Sequence, residues 1–111
     1  MANPKFEVFQ SKANNQFYYH LTASNGEKIL SGEGYTSRQS CHDGIASVKI
    51  NAPHDYRYMR RGATFNYTFN LVASNGEPIG RSENYTSEAG RENGIAAVKR
   101  DALGAAVVDI H

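Results

Sequence analysis

The segment Leu21-Thr22-Ala23-Ser24-Asn25-Gly26-Glu27 returns as Leu71-Val72-Ala73-Ser74-Asn75-Gly76-Glu77, an interval of 50 residues (71 − 21). The match then keeps its register. Tyr35-Thr36-Ser37 recurs as Tyr85-Thr86-Ser87, Gly44-Ile45-Ala46 as Gly94-Ile95-Ala96, and Val48-Lys49 as Val98-Lys99. A gapless period of this kind marks the duplication of one supersecondary unit, and such units bury a continuous core by packing on one another. A chain of 111 residues has room for one domain with its own core and not for two independent ones. The copies must therefore merge into a single domain, repeat 1 covering about 6–52 and repeat 2 about 56–102. The same interval aligns three strand-like pieces, Phe6-Glu7-Val8-Phe9, Tyr56-Arg57-Tyr58-Met59 and Ala106-Val107-Val108-Asp109-Ile110. A terminal strand over about 105–110 is thus expected to copy the first.

Within one unit, Phe17, Tyr19, Leu21 and Ala23 alternate with Tyr18, His20 and Thr22, the period-2 pattern of a half-buried strand, and Tyr67, Phe69, Leu71 and Ala73 repeat it. Asn25-Gly26 signals a hairpin with either a two-residue loop or a three-residue loop closed by a left-handed glycine. The three-residue choice, Ser24 to Gly26, sets Leu21 opposite Ile29 and Leu71 opposite Ile79. The two-residue choice would set Leu71 against Gly80, so the three-residue loop is expected. Thr36 or Ser37, and Thr86 or Ser87, are N-caps for the helix that follows. Its buried stripe is Cys41, Ile45, Val48 and Ala52, continued by Ile95, Val98 and Ala102 in the second copy. Gly44 and Gly94 fall inside these helices at a cost of about 1 kcal/mol relative to Ala, so either the helix breaks there or a neighbour packs on its backbone. The fold class is α+β: tandem β(3)-α(-β) units merged into one antiparallel sheet with two helices packed on one face.

A doubled unit with an Asn-Gly hairpin, Tyr-x-Ser opening a helix, and Gly-Ile-x-x-Val on the helix's second half resembles the YegP-like family of small bacterial proteins. The residues that carry the resemblance are Asn25-Gly26, Tyr35, Ser37, Gly44-Ile45 and Val48-Lys49, and again Asn75-Gly76, Tyr85, Ser87, Gly94-Ile95 and Val98-Lys99. It spans nearly the whole chain. The resemblance implies two β(3)-α-β units that share one sheet and exchange their last strands, and it implies no activity. The family has no established biochemical function, so it supplies no catalytic, cofactor-binding or metal-binding residue. The first copy departs from the usual pattern at Cys41-His42-Asp43.

The residues themselves argue for binding over catalysis. Cys41 and His42 are neighbours on a helix, about 100° apart, and cannot face one another as nucleophile and base, so Cys41 reads as a core residue. His20, His42, His54 and His111 lack ligand spacing and no second cysteine joins them, so no metal site and no cofactor are expected. Gly32-Glu33-Gly34 precedes a helix start, but Ser82-Glu83-Asn84 in the second copy has neither glycine, so a strand end and cap explain the stretch better than a phosphate loop. Glu33 and Glu83 recur because the unit was duplicated, not as an acid/base pair. A net charge of +1 disfavours a polyanion partner. The single cysteine, the absence of a basic-then-apolar leader pattern and of a long apolar run predict a cytoplasmic chain without a membrane span. Without an export route the sequons at Asn66 and Asn84 are coincidental.

If the helices cover the side bearing Tyr19, Leu21, Ile29, Tyr67, Phe69, Leu71 and Ile79, the other side of the sheet displays Phe9, Tyr18, His20, Lys28, Leu30, Arg57, Met59, Arg61 and Val72. An apolar and basic face of this kind suits an interaction surface for a second copy or a protein partner. Single-stranded nucleic acid on the same aromatic and basic residues is the weaker alternative.

Overall fold

The computed structural model describes residues 3–110. Three strands, β1 (Lys5–Gln10), β2 (Phe17–Thr22) and β3 (Lys28–Ser31), lead into helix α1 (Arg38–Asn51). A 3₁₀ turn over Asp55–Arg57 then opens the second copy, with β4 (Tyr58–Ala63), β5 (Asn66–Val72), β6 (Pro78–Arg81) and α2 (Glu88–Asp101), and β7 (Ala106–Asp109) closes the chain. The strands form one seven-stranded sheet in the order β4-β5-β6-β3-β2-β1-β7. The strand that follows α1 enters the second half of the sheet, whereas the strand that follows α2 returns to the first half beside β1.

The expectation of a wholly antiparallel sheet is corrected here. β7 pairs with β1 in parallel, Phe6 beside Val107 and Val8 beside Asp109, because it arrives through a helical crossover and not through a hairpin. The first strands also do not align at the interval of the rest. Phe6 faces Leu21 and Tyr58 faces Leu71, an interval of 52 (58 − 6), while Leu21 and Leu71 keep 50. The β4–β5 connection is shorter, only Thr64 and Phe65 between Ala63 and Asn66, so Tyr56-Arg57 falls on the 3₁₀ turn before the strand begins. Aromatic packing confirms the corrected register. Phe6 meets Tyr19 edge-on at 5.7 Å and Tyr58 meets Phe69 edge-on at 5.6 Å. Lys49 stands over the Phe6 ring and Lys99 over the Tyr58 ring.

Both β2–β3 and β5–β6 turns have three-residue loops. Ala23 N–H donates to Glu27 C=O and Ala73 N–H to Glu77 C=O, with Gly26 and Gly76 at φ +86° and +85°. A bulge follows, however, and it moves the register by one, so Leu21 faces Leu30 and Leu71 faces Gly80 instead of Ile29 and Ile79. In the first copy both Ile29 and Leu30 turn inward, and both are buried.

Ser37 and Ser87 cap the helices, each hydroxyl accepting an N–H three residues on. Neither glycine breaks its helix. A Cβ at Gly44 would collide with the Tyr35 hydroxyl and one at Gly94 with the Tyr85 hydroxyl, so each helix needs glycine to lie against a tyrosine. The predicted stripe is buried, Cys41, Ile45 and Val48 in α1 and Ile95 and Val98 in α2, and one cluster joins both helices to the same face of the sheet.

The two halves meet at β3 and β6 through a single backbone bridge, Ser31 to Arg81. Side chains complete this seam. Leu30 fills the space above Gly80, where a Cβ would lie 2.8 Å from its Cγ and one methyl, and the Tyr19 hydroxyl donates to the Ile79 carbonyl. Two exposed ion pairs cross it in opposite senses. Arg81 grips Glu33 through both carboxylate oxygens at 2.9 Å, and Lys28 lies 4.0 Å from Glu83.

Candidate interaction surface

With the helices on one side, the other side of the sheet is open. The pairings place one row across all seven strands: Met59, Asn70, Arg81, Ser31, His20, Glu7 and Val108. The row is polar at its centre and apolar at its two ends. His20 Nε2 lies 2.8 Å from Glu7 Oε1, and this hydrogen bond holds the Glu7 carboxyl below its ordinary value. A second row continues from Phe9 opposite Tyr18. The two rings lie 6.0 Å apart and 21° from parallel, and His20 tilts against Phe9 at 5.4 Å. Phe9, Tyr18, His20 and Lys28, with Ser11 and Ser31, line an open hollow of about 300 Å³.

Four of the sequence-derived surface residues, Phe9, Tyr18, His20 and Lys28, therefore come together. The others do not join them. Leu30 is corrected to a core residue, fully buried, because the bulge turns it inward. Arg57 lies on the 3₁₀ turn with its guanidinium over the Tyr56 ring, outside the sheet. Val72 pairs with Pro78 on the open side yet is buried. Met59 and Arg61 are exposed on that side, but on edge strand β4, with β5 and β6 between them and the aromatic hollow.

The second copy lacks the residues that build this hollow. Where the first carries Tyr18, His20 and Lys28, the second carries Thr68, Asn70 and Pro78 at the 50-residue interval, and Arg61 stands at the place of Phe9. Sequence reading had no signal for the roles of Glu33 and Glu83 as bridges across the seam, because their partners come from the opposite repeat. Cys41 is wholly buried, and burial pushes its thiol up to about 11, which suits a core residue. Among the described residues no group of three or more His, Cys, Asp or Glu could hold a metal ion, and no helix is long and apolar enough to cross a membrane.

Two helices on one face of a sheet built from duplicated three-strand units define a tandem β₃α module with an open sheet face. The chain belongs to the family described as a domain of unknown function, DUF1508, whose model matches it twice, over residues 13–58 and 66–109. It is similar to the UPF0339 protein YegP of Escherichia coli strain K12, 48% identical over 59 residues, which are 53% of each chain. A UPF0339 protein in the ptx operon 5′ region of Stutzerimonas stutzeri is 45% identical over 58 residues, 52% of this chain and 51% of that one. These alignments span about half the length of the curated relatives. Likeness to solved structures extends further. The solution structure of yegP from E. coli, titled a protein of unknown function, superposes with a TM-score of 0.88 at 42% identity, covering 98% of this chain and 94% of that one. A UPF0339 protein of Shewanella oneidensis gives 0.89 at 38% identity over 96% and 91%. These descriptions assign no activity.

Proposed function

We propose that this protein is a small non-enzymatic interaction module whose binding surface is the hollow formed by Phe9, Tyr18, His20 and Lys28. Its occupant is an aromatic side chain of a partner polypeptide with a carboxylate beside it. The observation that carries this reading is the asymmetry of the open face. Duplication explains what the copies share, but the stacked aromatic and basic cluster exists in one copy only, and the fold of the other copy does without it. An exposed ring pair offers a stacking surface, and Lys28 offers a cation at its margin.

Two other classes fit less well. Glu7, His20 and Ser31 stand on neighbouring strands in the order of a carboxylate, a base and a hydroxyl. No hydrogen bond joins Ser31 to His20 among the described residues, and no helix start aims N–H groups at this row, so the requirements of acyl transfer are unmet. For nucleic acid, Lys5 and Arg81 on this face pair with Glu7 and Glu33, which leaves Lys28 at the hollow, 4.0 Å from Glu83, and Arg61 on the far edge strand. Two separated cations are too few to release many counterions.

The chain contains no tryptophan, so a tryptophan-bearing probe reports binding by its own fluorescence. Acetyl-Glu-Trp-Glu-amide is expected to shift its emission to the blue on titration with the protein, and Phe9→Ala or Tyr18→Ala to weaken that binding at least tenfold. Met59→Asp, at the far edge, is expected to leave it unchanged. Binding that survives Phe9→Ala, or no binding at millimolar protein, overturns the reading. Tight, salt-sensitive capture of an oligo(dT) strand would place nucleic acid there instead.

A further inference from the structure

The two edges of the sheet are not alike. On β4, Arg60 and Arg61 are adjacent, and Arg91 from α2 donates to the Arg61 carbonyl, so charge and a side-chain hydrogen bond guard that edge. On β7 nothing comparable stands among the described residues. The sequence Ala106-Val107-Val108-Asp109-Ile110 has no lysine, proline or bulge, and Val107, Val108 and Ile110 are each about 40% exposed. Its one charge, Asp109, is turned to the helix side, where Arg38 pairs with it at 3.1 Å and His42 Nε2 lies within hydrogen-bond distance at 2.9 Å.

The backbone of β7 has a defined free set. Ile110 N–H donates to Val8 C=O and Val8 lies beside Asp109, so in this parallel ladder residues 106, 108 and 110 direct their backbone groups to β1. Val107 and Asp109 direct theirs outward. An antiparallel partner must offer the same alternation, and a second β7 does. With Val108 on a two-fold axis, Val107 of each copy exchanges both of its hydrogen bonds with Asp109 of the other, which pairs every outward group. Setting Asp109 opposite Asp109 would oppose like charges. Setting Val107 opposite Val107 would call on Ala105 N–H, already donated to Ala102.

We infer that the β7 edge is a self-association surface, on which a second copy of this chain adds its own β7 antiparallel about Val108 and extends the sheet through both molecules. Val108 meets Val108 on the open face in a close, non-hydrogen-bonded pair, and Ala106 meets Ile110 on either side of it. The contact is isologous and closes at two copies, whereas β7 on a guarded β4 would leave free edges and grow filaments. A strand pair this short buries less than the roughly 800 Å² per partner of a standard interface, so the dimer is weak and forms with rising concentration. This surface touches the aromatic hollow only at Phe9, which shares a neighbouring hollow with Ile110, while Tyr18 and His20 on β2 and Lys28 on β3 stand two and three strands from β7.

Cysteine placement tests both association and register. Cys41 is buried and unreactive, so an introduced thiol acts alone. Under mild oxidation at about 0.5 mM, Val108→Cys is expected to give a disulfide dimer, since Cα atoms of such a pair stand within the roughly 4.4–6.8 Å a disulfide needs. Ile110→Cys alone should not cross-link, yet should do so when mixed with Ala106→Cys. Light scattering of the unmodified chain should show mass rising toward a dimer over a tenfold concentration range. Val108→Lys and Val108→Glu should each remain monomeric and associate when mixed. A constant monomer mass together with no Val108→Cys dimer overturns the inference, as does equal cross-linking of Ile110→Cys alone or growth beyond a dimer. Because Tyr18→Ala, with β1 between it and β7, should weaken the hollow and leave the dimer intact, failure here and failure of the binding hollow are separable.

Discussion

The two halves of the sheet agree inside and disagree outside. Tyr19 and Phe69, Leu21 and Leu71, Ile45 and Ile95, Val48 and Val98 fill equivalent core positions, and the tyrosines on Gly44 and Gly94 repeat the same close contact. On the open face the first half carries Phe9, Tyr18, His20 and Lys28, and the second half Arg61, Thr68, Asn70 and Pro78. Core positions are held alike because each must fill a fixed volume, while an open face is free to diverge toward use. Near the seam the agreement fails inside as well. Leu30 and Gly80 occupy equivalent places, and two leucines there would compete for one space.

Removing that seam leucine is the most damaging change expected. Leu30→Ala leaves a cavity above Gly80 and should cost about 2–5 kcal/mol in denaturant unfolding. Gly80→Leu alone should overpack the same space, and the swap Leu30→Gly with Gly80→Leu should recover part of the loss if the halves are equivalent. Next in size, Gly44→Ala and Gly94→Ala should each destabilise by about 1–3 kcal/mol, reversing the usual gain from glycine to alanine in a helix, because the added methyl meets a tyrosine hydroxyl. Equal losses at both sites would confirm that the halves share one packing rule. Smaller still, Tyr19→Phe removes the donor to the part-buried Ile79 carbonyl and should cost about 1 kcal/mol.

The smallest effect is in acid. Hydrogen bonds from Arg60 and then Lys99 pull Asp55 from the ordinary 3.8 to about 2. A carboxyl depressed in the folded state contributes stability above its unfolded value and loses it as pH falls. The Asp55 contribution is therefore present above about pH 4 and disappears toward pH 2, and Asp55→Asn should flatten stability against pH in that window. Asp109, lowered by its hydrogen bonds to His42 and then Arg38, does the same for β7. Comparing Asp109→Asn with Asp55→Asn in the same titration tells whether the two edges are secured equally.

What could be read from the residues was whatever depends on neighbours along the chain. Alternation fixed the strands, the interval of 50 fixed the duplication, Asn25-Gly26 marked the hairpin though the Leu21–Ile29 and Leu71–Ile79 pairing used to choose its three-residue loop did not form, and the serine caps and the Cys41, Ile45, Val48 stripe fixed the helices and their buried face. Of the surface, Phe9, Tyr18, His20 and Lys28 were legible because strand parity alone puts them on one side. Leu30 was misplaced because a bulge shifts parity by one residue without a composition of its own, and Arg57 because the first strand of the second copy starts two residues later than the interval implies. The parallel β7, the hollow's confinement to one half, the Glu33 and Glu83 bridges and the bare edge were decided only in three dimensions. Each depends on which strands become neighbours after a helix has carried the chain across the sheet, and sequence proximity holds no record of that choice.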